Sequence, residues 1–189
     1  MFDRTKPQMP NGERMKQFII ASLIAILLQF SLVAKDKTKA QAEKEMVDKQ
    51  RIKELDAYWD ELERCVGEGD WQGFLKTVHP EAILVSGVRN MTMPMTKVMV
   101  KWKKEFDDTK AGKIKASVVF RFNKRLGDDK TAHETGMFLY KQTNAEGKKI
   151  AEYINFKGLL IKKNGVWVIM MENQEGKGSK EDWDKLPKR

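Results

Sequence analysis

The sequence predicts an α+β fold, a cone-shaped roll in which three N-terminal helices pack on one face of a curved antiparallel sheet. Three observations carry that prediction. Apolar residues in segment 52–66 recur at three- and four-residue intervals. Segment 67–87 runs in the order stop, cap, short helix, stop and strand. From residue 113 to 173 the apolar period falls to two, broken by turn residues. Helices succeeded by a run of hairpin-linked strands give a layered α+β domain.

The first helix of the fold carries Ile52, Leu55, Tyr58, Trp59, Leu62 and Val66 on one face. Gly67 and Gly69 end it, because glycine takes left-handed backbone angles cheaply, and Asp70 caps the next helix by accepting from its orphan N–H groups. That helix, 71–78, offers Phe74, Leu75 and Val78 to the core. Pro80 closes it, with His79 at its end covering terminal carbonyls. Residues 82–85 read as a buried strand and 89–96, with Asn90 and Pro94, as a loop. Thr96 caps a third helix carrying Val98, Met99, Trp102 and Phe106, which Ala111-Gly112 ends.

The strands come next. Ile114, Ala116, Val118, Phe120 and Phe122 alternate with Lys115, Ser117, Val119, Arg121 and Asn123, the period of a sheet with one buried face. Gly127-Asp128-Asp129 turns the chain into 131–141, Asn144 to Gly147 turns it into 150–162, and Lys163-Asn164-Gly165 into 166–173. Asn-Gly between apolar runs is a hairpin signal, since both positions tolerate positive φ. Both faces of 131–141 are substantially apolar, so both are expected to be covered, one by helices and one by a second subunit.

Outside this domain, 51–174, lie three segments. Arg14 and Lys16 precede an apolar run at 18–34, and Lys35-Asp36-Lys37 comes directly after it. That order predicts an export signal cleaved near Ala34 or, uncleaved, a membrane anchor. Met15 offers a second start with a short basic lead. Residues 35–50 are a charged spacer merging into a helix. The basic tail 175–189 contains Ser179-Lys-Glu-Asp182, a capping box ahead of Trp183 and Leu186 that predicts a docked helical turn.

The chain has 189 residues with 36 basic and 27 acidic side chains; without residues 1–34, 32 and 25 leave a charge of +7. The lysines are dispersed and no nucleic-acid motif is present, so nucleic acid is not an expected partner. Cys65 is the single cysteine, which excludes an internal disulfide and a paired-cysteine zinc site. His79 and His133 lack metal-ligand spacing. Neither a glycine-rich phosphate loop nor a Gly-x-Ser-x-Gly elbow occurs, so no cofactor is expected.

Gly-Glu-Gly-Asp70, His79-Pro80-Glu81-Ala82, Ala132-His133-Glu134-Thr135-Gly136 and Lys163-Asn164-Gly165-Val166-Trp167 together resemble the nuclear transport factor 2-like superfamily, in its SnoaL-like and ketosteroid-isomerase-like forms. The resemblance spans about residues 50 to 174. It implies a pocket between helices and sheet and a homodimer through the sheet's outer face. It does not imply one activity. The ketosteroid-isomerase roles fall on Ser86, on Leu62 with Tyr58 a turn away, and on Lys157 or Gly158, and none is chemically matched, so the reading leans against an enzyme. The expected ligand contacts are Trp59, Trp102, Phe120, Glu134, Tyr153, Asn155 and Glu172. Glu134, Tyr153 and Glu172 are the weak candidates for acid-base work in an alternative lyase, isomerase or hydrolase. A third alternative resembles the ring-forming association domain of calmodulin-dependent kinase.

Overall fold

The computed structural model describes the backbone of residues 11–189 and the side chains of residue 39 and residues 41–189. The apolar run 18–34, and with it the expected export signal or anchor, lies outside the described side chains. Among the described residues no helix is long and apolar enough to cross a membrane. The chain separates into a unit Met1–Met46 and a unit Val47–Arg189. Helix α1, Asn11–Glu68, enters both. Within the first unit, the described side chains from Gln41 to Met46 are exposed.

The second unit is an α+β roll. After α1 come α2 (Trp71–Thr77), β1 (Val78–Ser86), β2 (Met91–Pro94), α3 (Met95–Lys110), β3 (Lys115–Gly127), β4 (Thr131–Thr143), β5 (Lys149–Lys163), β6 (Val166–Lys177) and α4 (Lys180–Lys185). The six strands form one sheet in the order β2-β1-β6-β5-β4-β3. Every pairing is antiparallel except β1 with β6. Trp59, Leu55, Phe156 and Leu160 are fully buried between α1 and the inner face of the sheet, with Phe74 of α2 and Phe106 of α3 in the same core.

Local chemistry sets the junctions. Gly69 takes φ +68, Asp70 caps α2 by accepting from the Gly73 N–H at 2.9 Å, and a β-carbon at Gly69 would collide with the backbone of Phe106 and Lys110. Gly67, expected to help stop α1, lies inside it. Asn164 and Gly165 both take positive φ, as a two-residue hairpin requires.

Three expectations are corrected. The chain turns extended at Val78, so His79 and Pro80 lie in β1 rather than at a helix end. Proline is tolerated there because β1 is irregular between Val78 and Ile83, where no ladder N–H is needed. His79 Nδ1 accepts from the Glu81 N–H at 3.2 Å, and no helix carbonyl is involved. Segment 91–94 is a strand on the sheet edge, not loop. Pro94 precedes α3, so Thr96 falls inside that helix and caps nothing.

The expected helical turn in the tail is present as α4, with Ser179 Oγ accepting from the Asp182 N–H at 3.0 Å. Trp183 is buried against Met137, Leu139 and Tyr153 on the sheet's outer face, and the Arg121 guanidinium lies 4.4 Å from its ring centre. The chain's own tail therefore covers the part of β4 for which a second subunit was expected.

Candidate functional site

Between Arg51 and Glu63, helix α1 is fixed to the sheet by polar contacts. Arg51 donates to the carbonyls of Gly127 and Arg125, and Glu54 accepts from Trp167 Nε1 at 3.0 Å and pairs with Lys162. Those hydrogen bonds hold the Glu54 carboxyl at a pKa of about 2. Trp59 Nε1 donates to Glu134 at 2.8 Å, and Glu63 accepts from the Phe120 N–H on edge strand β3 at 3.1 Å. A cavity of about 430 Å³ lies between α1, α3 and the inner face of the sheet. Trp59, Phe74, Trp102, Phe120 and Phe138 give it an aromatic wall. Its size lies within the ordinary range of small-molecule sites, roughly 300–1,000 Å³.

Two β-bulges supply the polar groups that β6 contributes to it. On β6, Trp167 and Ile169 face inward, and strict alternation would send Glu172 outward. The register instead steps from Ile169 opposite Leu160 to Met171 opposite Leu159, leaving Met170 unpaired. Glu172 then stands opposite Gly158 on the inner face. A second step leaves Glu175 unpaired, so Gln174 and Lys177 also face inward. A bulge inserts one residue and re-aims the side chains beyond it. Glu172, Gln174 and Lys177 all line the cavity.

Glu172 is partly buried and accepts from Gln174 Nε2 at 2.7 Å. It has no ion-pair partner among the described residues, and burial pushes its pKa up. The same burial, with the Glu172 charge nearby, pushes up the Tyr58 phenol, which donates to the Thr77 carbonyl at 3.0 Å. At the cavity mouth, Lys177 pairs with Glu152 at 3.7 Å and Glu105 accepts from the Tyr140 hydroxyl at 3.4 Å. Arg89, in the turn between β1 and β2, and Lys101 of α3 line the mouth with no partner among the described residues.

The seven expected ligand contacts divide. Trp59, Trp102, Phe120 and Glu172 line the cavity. Glu134, Tyr153 and Asn155 do not. Glu134 is fully buried, and Arg125 Nε and Nη2 grip it at 2.8 and 2.9 Å while Trp59 supplies a third donor. It can face Arg125 because Asn123 is bulged out of β3, turning Arg125 inward. Tyr153 lies on the outer face beside Trp183, and Asn155 lies there too, 3.5 Å from the Lys177 carbonyl. The candidate acid-base set Glu134, Tyr153 and Glu172 is thus not brought together. Sequence reasoning does not find Gln174, Arg89 or Lys101. Only knowledge of the bulges would reveal Gln174, while Arg89 and Lys101 look like ordinary surface cations in sequence.

Ser86, at the expected base position, is buried opposite Gln174. Lys157 pairs with Glu175 across the outer face. Glu61, Cys65 and Asp70 place ligand-type atoms within 4.8 Å of one another, but Arg64 neutralises the group, reaching Glu61, Glu68 and Asp70 at 2.5–2.7 Å. Burial and Glu61 push the Cys65 thiol up to about 12, which makes it a poor nucleophile.

This arrangement is that of the nuclear transport factor 2-like fold. The chain is similar to an NTF-2-like protein of unknown function from Shewanella oneidensis, at 14% identity over 65% of this chain and 97% of that one, with a TM-score of 0.50. It is similar to a protein with a cystatin-like fold from Caulobacter vibrioides, at 13% identity over 70% and 93%, TM-score 0.50. A conserved protein from Planctomyces limnophilus matches at 8% identity over 66% and 94%, TM-score 0.55. No protein-family model matches the chain, and no curated protein matches it. At these identities the likeness is one of fold.

Proposed function

We propose that the chain is an exported or membrane-tethered nuclear transport factor 2-like domain that binds a small molecule in the cavity between α1, α3 and the inner face of the sheet. The observation that carries this reading is Glu172. The one fully buried carboxylate among the described residues, Glu134, is matched by Arg125. Glu172 instead sits in the wall of an aromatic cavity with no ion-pair partner among the described residues. A desolvated, unpaired carboxylate in a concave apolar site is the pattern of a binding or reactive centre. Export rests on the basic lead, the apolar run 18–34 and the charged stop after it.

The test uses the fluorescent probe N-phenyl-1-naphthylamine, a neutral molecule of two fused rings and a phenyl group. The full chain is expected to give saturable fluorescence enhancement. Ala116→Trp, which fills the cavity from β3, is expected to abolish it while far-ultraviolet circular dichroism stays unchanged. Equal enhancement from both proteins, or none from the native chain, contradicts the reading.

A second reading is favoured by one further feature. Ile83, Met171, Leu159, His133 and Leu126 stand in register across five strands of the outer face. Ile83, Leu159 and Leu126 are each more than a third exposed. An exposed apolar row of this kind suits association of two copies through the sheet.

A further inference from the structure

The charges around the cavity mouth identify the class of ligand, and this inference rests on the proposal that the cavity is a binding site. Six acidic or basic side chains line it: Arg89, Lys101, Lys177, Glu105, Glu152 and Glu172. Lys177 and Glu152 answer each other. Glu105, one turn along α3 from Lys101, is turned to the Tyr140 hydroxyl. Glu172 lies farther in and is pushed toward its neutral form by burial. What remains at the mouth is two exposed cations on separate elements, Arg89 on the β1–β2 turn and Lys101 on α3, against the one carboxylate of Glu105, so the balance there is positive.

We infer that the ligand is an organic anion with a flat apolar body. Its rings lie against Trp102 and Phe120, its acid group meets Arg89 and Lys101 at the mouth, and a hydroxyl or amine at the inner end donates to Glu172. Each part is set by the chemistry of the wall it meets. Aromatic faces take flat apolar surface, and a guanidinium and an ammonium take a carboxylate, sulfonate or phosphate through charge-assisted hydrogen bonds. Glu172 has one oxygen engaged by Gln174 and the other without a partner among the described residues, so it accepts a donor from the ligand. A ligand without an acid group leaves Arg89 and Lys101 in water at no loss. The acid group therefore adds affinity and selects among flat apolar molecules.

The experiment compares two probes with the same rings on the full chain. 8-Anilinonaphthalene-1-sulfonate carries one sulfonate and N-phenyl-1-naphthylamine carries none. Each is titrated against the native protein, Arg89→Ala, Lys101→Ala and the double variant. Each single substitution is expected to weaken the sulfonate probe about tenfold, the scale of one charge-assisted contact, and to leave the neutral probe within about twofold. Added salt should weaken only the sulfonate probe, because exposed cations are screened. If the variants weaken both probes alike, or neither, the assignment of an anion is overturned while the cavity reading stands. If neither probe binds the native chain, the cavity reading fails and this inference fails with it.

Discussion

Glu134 and Glu172 occupy the same cross-strand row, two strands apart with Gly158 between them. Their environments divide their roles. Three donors surround Glu134, two from the Arg125 guanidinium and one from Trp59, which makes it part of the frame that holds Trp59 against the sheet. Removing one partner of a buried pair leaves the other charge uncompensated, so Glu134→Ala should lower unfolding stability by about 3–5 kcal/mol in a urea titration. Glu172→Gln should behave in the opposite sense. The native Glu172 carboxyl has a raised pKa, so its favourable contribution is present below the ordinary glutamate range and is lost as pH rises through the raised value. The melting temperatures of Glu172→Gln and the native protein should therefore converge near pH 4 and separate toward pH 8, with the variant the more stable. A constant difference across that range would reject the assignment. The sequence could nominate both residues, but nothing at either position says which one faces a cation, because Arg125 is turned inward by a bulge at Asn123.

Among the elements, strand β6 carries most of what was hidden. The strand over 166–173 was legible, as were the Asn164-Gly165 hairpin, the apolar face of α1 and the capping box of α4. The unpaired residues Met170 and Glu175 carry no compositional mark, since a bulge is specified by the fit of two strands rather than by one residue type. His79-Pro80 misled for a related reason. Proline reads locally as a helix stop, yet pairing of β1 with β6 draws the chain into the sheet from Val78. Helix α4 divides the outer face. Trp183 covers Met137 and Leu139, and the segment continues until Arg189 bonds to the Asp56 carbonyl and pairs with Asp60 and Glu63 on α1. On the outer face, the row through Leu159 is what α4 leaves uncovered for the second copy proposed above. Light scattering of the full chain should give a dimer that Leu159→Lys converts to a monomer, and a native chain that stays monomeric at high concentration would remove that reading.

At the scale of the molecule, the fold class was readable because it depends on periods and turns spread over the whole chain, which single irregularities do not erase. The place of the cavity and part of its aromatic wall were expected from the resemblance, but its polar lining beyond Glu172 was not, because that lining depends on register. The resulting unit holds its frame with matched charges, as at Glu134 with Arg125 and Glu54 with Lys162, and leaves unmatched ones around the cavity. Native mass spectrometry of the full chain purified gently from its host tests that contrast most directly. The account predicts a protein that carries a small organic acid, which is lost from Ala116→Trp. A spectrum in which the native chain and Ala116→Trp retain the same small molecule, or in which neither retains one, would contradict it.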